Sequence, residues 1–146
     1  MHIAIGSDHA GFELKESLIE AIGIEGVEFT DVGTSSKDES VDYPDFANKV
    51  SDLVLKGKAD YGVLICGSGI GMSIAANRYP GIRAALCTDG LSAELARLHN
   101  DANILCLGSR VLGSETAKRA LHRFLNTEFE GGRHQFRVEK LGKINV

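Results

Sequence analysis

A short glycine-rich stretch that begins with a cysteine carries the clearest signs of chemistry in this chain. It reads Cys66-Gly67-Ser68-Gly69-Ile70-Gly71 and directly follows an apolar run at residues 61–65. Glycines let the backbone approach a ligand and turn successive N–H groups toward one point, and the N-terminus of a following helix adds its positive dipole end. The same groups favour the thiolate form of a neighbouring cysteine. The stretch therefore predicts a nucleophile or base beside an anion-binding loop.

Known motifs of similar composition do not fit this spacing. A dinucleotide fingerprint G-x-G-x-x-G read from Gly67 meets Met72 at its last glycine, and one read from Gly69 meets Ile74. The C-x5-R loop of phosphatases requires an arginine where Met72 stands. A P-loop requires Gly-Lys-Ser/Thr after the turn, and this chain has none there. The spacing excludes these three kinds of site.

Composition and charge restrict the classes of function. The 146 residues fit one domain, which we expect to span 1–146, and the apolar share of 43% is that of ordinary globular chains. The net charge of −4 argues against a nucleic-acid binder, so an anionic ligand requires a local cluster of basic groups.

The cysteines and histidines point to a reduced, metal-free protein. Cys66, Cys87 and Cys106 form no C-x-x-C pair, and the last two are expected to be core residues. No His-x-x-x-His pair or Cys/His ligand set occurs, so no metal site is predicted.

The chain begins without the pattern of a signal peptide and has no apolar run of membrane length. These features indicate a cytoplasmic protein that does not bind membranes.

Short apolar runs alternate with helical patterns along the chain. The runs predict strands at 2–6, 27–32, 61–66, 82–87 and 103–107, and the patterns predict helices near 12–22, 46–54, 69–77, 91–99 and 117–125. This alternation indicates an α/β domain with a five-stranded parallel sheet, doubly wound and Rossmann-like, in three layers α/β/α. From about residue 127 to 146 the chain changes character, and we expect a C-terminal arm laid on a surface.

Three of the predicted strands end in the dipeptide Gly-Ser. These turns are Gly6-Ser7, Gly67-Ser68 and Gly108-Ser109. Ligands of open α/β sheets bind beyond the carboxyl ends of strands, at a switch in strand order. We therefore expect the three turns to line one crevice.

Several further residues have both a functional and a structural explanation. Arg133 and Arg137 are four apart and could clamp a phosphate from one helix face, or form a solvated basic face. Asp8 and His9 follow the first strand and could face the crevice, although capping of a helix also explains Asp8. His99 stands near a helix end, where a histidine is also a favourable cap.

Seven segments, taken together and in order, resemble type B ribose-5-phosphate isomerase, whose family also contains galactose-6-phosphate isomerase subunits. They are Gly6-Ser7-Asp8-His9-Ala10-Gly11, Asp42-Tyr43-Pro44, Cys66-Gly67-Ser68-Gly69-Ile70-Gly71, Ile74-Ala75-Ala76-Asn77, His99-Asn100-Asp101-Ala102-Asn103, Gly108-Ser109-Arg110 and Glu130-Gly131-Gly132-Arg133-His134. The resemblance extends over nearly the whole chain.

The resemblance implies interconversion of ribose 5-phosphate and ribulose 5-phosphate, a step of the non-oxidative pentose phosphate pathway, with no cofactor. It also implies a homodimer whose active sites lie between subunits, with a dimer of dimers as the alternative assembly. It makes Cys66 the base and His99 the group that opens the furanose ring. Some members use a glutamate at the position of Met72 instead, and this chain is similar to the cysteine type.

The remaining roles implied by the resemblance concern substrate binding. Asp8 contacts a substrate hydroxyl; His9, Arg133 and Arg137 bind the phosphate; Tyr43, Asn100 and Arg110 line the pocket. In the implied reaction Cys66 moves a proton from C2 to C1, while loop N–H groups and Ser68 stabilise the enediolate. Two alternatives stay open: an isomerase of an aldohexose 6-phosphate, such as allose or galactose 6-phosphate, and a non-enzymatic phosphate-binding module.

Overall fold

Five parallel strands form the central sheet of the computed structural model, which describes residues 1–23 and 26–143. The strands are β1 (His2–Ser7), β2 (Glu28–Asp31), β3 (Tyr61–Cys66), β4 (Ala84–Leu86) and β5 (Ile104–Gly108). Their order in the sheet is β2-β1-β3-β5-β4, and every neighbouring pair is parallel. The predicted strands are confirmed to within two residues at each end.

Six α-helices connect or follow the strands. They are α1 (Phe12–Ala21), α2 (Tyr43–Leu55), α3 (Ile70–Ala76), α4 (Gly90–Asn100), α5 (Ser114–Leu125) and α6 (Gln135–Leu141), with a 3₁₀ turn at Gly132–His134. The first five correspond to the predicted helices. The turn and α6 form most of the predicted arm, whose last residues, 144–146, lie outside the described residues. No helix in the described ranges is long and apolar enough to cross a membrane.

The sheet is covered on both faces, which confirms the three-layer α/β/α prediction. Side chains alternate between faces along a strand, so Val63 and Ile65 point to one side and Leu64 to the other. The first two pack in one core cluster with Leu121 of α5, and Leu64 packs in the second with Val50 of α2. Strands buried on both faces have apolar side chains at successive positions, which is the pattern of β3.

The order of strands reverses between β1 and β3. The chain leaves β1 toward β2 on one side and leaves β3 toward β4 on the other, which opens a crevice at their carboxyl ends. Ser109, after β5, links the segments that follow β1 and β3. Its hydroxyl donates to the carbonyls of Ala10 at 2.8 Å and Cys66 at 3.2 Å. The three Gly-Ser turns thus meet at one edge of the sheet, as predicted.

Candidate active site

The Cys66 loop leaves β3 and turns at once into α3. Gly69 makes this turn with φ of 77°, in the left-handed region that favours glycine. Its N–H donates to Cys66 Sγ at 3.2 Å, and the N–H of Ile70 donates to Ser68 Oγ at 3.2 Å. The bond from Gly69 holds the Cys66 sulfur at the turn between β3 and α3.

Two side chains from other elements lie across this loop. A Cβ added at Gly71 would lie 2.5 Å from the Tyr43 ring, and one added at Gly67 would lie 3.0 Å from Arg110 Nη1. The phenol at the start of α2 therefore lies where a side chain at position 71 would clash with its ring, and the guanidinium after β5 lies close to the backbone of Gly67.

A cavity of about 510 Å³ opens in front of the thiol. It is lined by Asp8, Tyr43, Cys66, Gly67, Ser68, Ile70, Gly71, Ile74, Arg110 and Val111. Eight of these ten were candidates in the sequence. Ile74 and Val111 were missed as site residues, although Ile74 follows Ile70 by one helical turn and therefore lies on the same face of α3.

Asp8 and His9 stand at the end of β1 with their orientation set by backbone groups. Asp8 is buried and its Oδ1 accepts the N–H of Gly11 at 3.0 Å, so it both holds the turn and lines the cavity. His9 Nδ1 accepts the N–H of Val41 at 3.2 Å. Since a backbone N–H can only donate, Nε2 carries the proton and is the nitrogen that can donate to an anion.

His99 and Asn100 do not join this cavity. Helix α4 runs from the carboxyl end of β4 back to the amino end of β5, so its last two residues lie at the opposite edge of the sheet from Cys66. Cys66 lies beside Gly108, the last residue of β5. Asn100 comes before Ile104, the first residue of β5. The strand between these ends spans about 13 Å at about 3.3 Å per residue.

The arm contacts the end of α4. The Glu130 N–H donates to the Leu98 carbonyl at 3.1 Å, and the His134 ring stacks on the His99 ring with centroids 4.3 Å apart. Arg133 lies in the 3₁₀ turn rather than on a helix shared with Arg137, because α6 begins only at Gln135. Both arginines are exposed, and neither forms an ion pair within the described residues.

A larger cavity of about 740 Å³ lies beside Asn100, between the start of β4 and α6. Its lining includes Arg83, Asp101 and Val138. It holds no cysteine or glycine loop, so size does not identify the site.

The sequence also missed His134 and Glu130 as neighbours of His99. Ligand atoms of His99, Glu130 and His134 lie within 4.8 Å of one another. A metal binds an imidazole nitrogen in the plane of the ring at about 2.0–2.1 Å. The two rings are stacked at 18°, so their planes share no point near both nitrogens. The arrangement does not favour an ion.

The environment of His134 disfavours its charged form. Burial lowers the pKa of the His134 imidazole, and the charges of His99 and Arg133 lower it further. Its Nε2 has no hydrogen-bond partner among the described residues, and the nearest carboxylate oxygen, of Glu130, is 3.7 Å away. The surroundings of His134 therefore favour the neutral form of the ring that stacks on His99.

The other two cysteines differ from Cys66. Burial raises the pKa of Cys87 to about 11 and also raises the pKa of Cys106, which is fully buried. Neither lines the cavity described above. Both therefore remain thiols in the core, as the sequence indicated.

Known proteins match this chain along nearly its whole length. The family described as Ribose/Galactose Isomerase matches residues 3–141. The ribose-5-phosphate isomerase B of Escherichia coli is 49% identical, over 97% of this chain and 95% of its own. The crystal structure of a ribose 5-phosphate isomerase of Thermotoga maritima has a TM-score of 0.94 at 54% identity, covering 98% of each chain.

A third relative was solved with a sugar phosphate. The ribose-5-phosphate isomerase B of Mycoplasma genitalium, with bound ribulose 5-phosphate, has a TM-score of 0.91 at 42% identity. That match covers 97% of this chain and 93% of the other. The chain belongs to the ribose/galactose isomerase family.

Proposed function

We propose that this protein is an aldose–ketose isomerase that interconverts ribose 5-phosphate and ribulose 5-phosphate. The observation that carries the proposal is the Cys66 thiol, which accepts the Gly69 N–H and opens onto a cavity lined by Asp8, Tyr43 and Arg110. A base beside hydrogen-bond donors is what the reaction requires, and the relatives named above carry this activity in their names.

The chemistry is a transfer of one proton between neighbouring carbons. In the open-chain aldose the C2 proton is acidic because the C1 carbonyl accepts the electron pair. The Cys66 thiolate removes this proton to form a cis-enediolate, and the resulting thiol returns it to C1. A proton moves from O2 to O1 in the same step sequence, so the ketose has the same atoms as the aldose.

The loop is placed to stabilise the charge that develops on oxygen. Ser68 Oγ accepts the Ile70 N–H, which leaves its hydroxyl proton free to be donated to a substrate oxygen. The Arg110 guanidinium lies close to Gly67 and lines the same cavity as Ser68. Donors that face developing charge are often the largest catalytic contribution, and losing one typically costs about 10²–10³-fold in rate.

The site is completed in our proposal by a second copy of the chain. His99, Asn100, Arg133 and Arg137 lie away from the Cys66 cavity of their own subunit, and a two-fold axis would bring them to the cavity of the partner. Exposed apolar side chains support such an interface: Ile70, Ile74 and Val111 surround the cavity, and Phe136 on α6 is 72% exposed. Helix α6 buries none of its own residues within this chain.

The phosphate of the substrate needs a local positive site on a chain of net charge −4. We assign it to the Nε2–H of His9 and to Arg133 and Arg137, whose side chains are exposed. Forked guanidinium donors fit phosphate oxygens well.

We further propose a cytoplasmic location, which is supported by three free and buried cysteines.

Turnover of the purified protein tests the proposal. We expect ribose 5-phosphate to be converted to ribulose 5-phosphate at a rate well above that of allose 6-phosphate or galactose 6-phosphate, each assayed at equal concentration. A preference for a hexose phosphate would select that alternative. Binding of these sugars without turnover would leave only a phosphate-binding module, and a monomer that is fully active would contradict the shared site.

A further inference from the structure

The residue that ends helix α4 has an unusual backbone. Asp101 has φ of 46° and ψ of 44°, and it is the only non-glycine residue with positive φ in the described part of the chain. Helices that end in this left-handed conformation usually have glycine there, because a Cβ is strained by it. Asp101 stands two residues after His99 and directly after Asn100.

The Asp101 side chain joins two arginines from different parts of the fold. Its Oδ1 accepts from Arg97 Nη1 at 2.9 Å, and its Oδ2 accepts from Arg83 Nη2 at 3.2 Å. Its backbone carbonyl also accepts from Arg83 Nε at 2.8 Å. A glycine would satisfy the backbone but could not make the two carboxylate contacts.

Arg97 anchors this group in the core. The residue is 4% exposed, and its guanidinium lies over the rings of Tyr61, at 4.7 Å, and Phe124, at 5.8 Å. Its Nη1 also donates to the Ala102 carbonyl at 2.6 Å. The position of the Asp101 carboxylate is therefore fixed from the inside of the protein.

The same arginine reaches the beginning of the arm. Arg97 Nε donates to the Thr127 carbonyl at 3.2 Å, and three residues later the Glu130 N–H donates to the Leu98 carbonyl. The arm then places His134 on the ring of His99. One network thus holds both the last turn of α4 and the residue that stacks on His99.

We propose that Asp101 is a positioning residue which, by joining Arg97 and Arg83, fixes the last turn of α4 and thereby the ring of His99 against His134. A strained backbone persists where the surrounding contacts determine it, and here the carboxylate supplies those contacts. The inference rests on the proposed role of His99 in ring opening. General acid–base catalysis requires hydrogen-bond reach, and a displacement of about 1 Å costs about a hundredfold.

Two variants distinguish the contribution of the Asp101 carboxylate from that of its strained backbone. Asp101→Gly relieves the strain at positive φ and removes the side chain, whereas Asp101→Asn keeps its shape and tolerance of this backbone but removes the charge. Glu94→Gln is the matched control, because it removes an ion pair with Arg123 from the same helix, far from its end. We expect the turnover number on ribose 5-phosphate to fall about tenfold to a hundredfold in Asp101→Gly, less in Asp101→Asn, and not in Glu94→Gln.

A double-variant cycle with His99→Asn tests whether the loss passes through His99. Open-chain aldose also forms without the enzyme, so His99→Asn retains a measurable rate. Asp101→Gly combined with His99→Asn should be within about twofold of His99→Asn alone, because residues that act as a unit are not additive. A double variant slower by the full factor of Asp101→Gly would overturn the inference.

An NMR spectrum of the five histidine rings tests the position of the His99 ring directly, without an activity assay. In Asp101→Gly we expect the ring signals of His99 and His134 to shift as their stacking is lost, with those of His2, His9 and His122 unchanged. Unchanged signals of His99 and His134, or a shift of all five, would overturn the inference. Full activity of His99→Asn would instead contradict its role in the proposed function, and the spectrum would still decide what Asp101 does.

Discussion

Cys66 and His99 lie at opposite edges of the same sheet, the first at the carboxyl end of β3 and the second where α4 returns to the amino end of β5. Within one subunit His99 therefore lies outside the cavity that Cys66 lines. A two-fold axis of the proposed dimer would exchange the two edges between subunits, so that each of two identical sites would receive one residue from each chain.

This relationship predicts complementation between two variants of low activity. Cys66→Ser and His99→Asn should each have little activity as homodimers, whereas a mixed dimer has one site with both native residues. Random equal mixing makes about half of the dimers mixed, so roughly a quarter of the native activity should return. The measurement is co-refolding followed by assay, with mixed dimers verified by mass. Recovery no greater than that of the separate variants would place both residues in the site of one subunit.

Cys66→Ser should reduce turnover by about 10²–10⁴-fold while substrate affinity stays near that of the native protein. A serine hydroxyl is too weak a base at neutral pH, but its size keeps the loop and the bond from Gly69. The turnover number and the dissociation constant of ribose 5-phosphate should be measured separately. Native turnover in this variant would remove Cys66 from the role of base.

Alkylation should modify one cysteine per chain, and activity should fall in parallel. All three thiols are buried, but Cys66 alone lines the cavity, whereas the pKa of Cys87 is raised to about 11 and Cys106 is fully buried. Mass spectrometry after iodoacetamide treatment in native buffer identifies the labelled residue, and ribose 5-phosphate should slow the labelling. Modification of Cys87 or Cys106 before Cys66 would contradict the prediction that Cys66 is the reactive thiol.

Arg137→Ala should raise KM about tenfold or more with a smaller change in kcat, because contacts made equally in ground and transition states act on binding. Arg119→Ala is the control, since Arg119 is an arginine on α5 to which the proposal assigns no contact with the substrate. Steady-state assays of both variants on ribose 5-phosphate provide the comparison. A loss confined to kcat would exclude Arg137 as a phosphate ligand.

Acid should destabilise the native protein partly through His134. The folded protein lowers the pKa of this imidazole, so the unfolded chain binds its proton more readily, and the contribution to stability is present above about pH 6.5 and lost as the pH falls below it. His134→Phe keeps a flat, buried ring that cannot be protonated. Urea unfolding at several pH values should therefore show a smaller loss of stability for His134→Phe than for the native protein. Equal losses would mean that His134 contributes nothing to the acid sensitivity.

The sequence by itself determined the local structure and the chemistry of the loop. Apolar runs and helical periods follow from which residues are buried, so they predicted all five strands and the helices between them, and the spacing of glycines after Cys66 predicted the cradle that the structure contains. Each of these features depends on residues close together along the chain. The sequence did not indicate the 3₁₀ turn at Gly132–His134 that contains Arg133 and leads directly into α6, and the clamp formed by Arg133 and Arg137 stays a prediction.

Only the tertiary structure decided which residues beyond the three Gly-Ser turns meet. The order β2-β1-β3-β5-β4 places β5 beside β3, and this order fixes that Asp8, Cys66 and Arg110 share a cavity while His99 lies at the far edge. The stacking of His134 on His99 and the bridge from Asp101 to Arg83 join segments that are distant in the chain. Such contacts depend on how the packed layers bring segments together, and no local pattern of hydrophobicity or spacing specifies that.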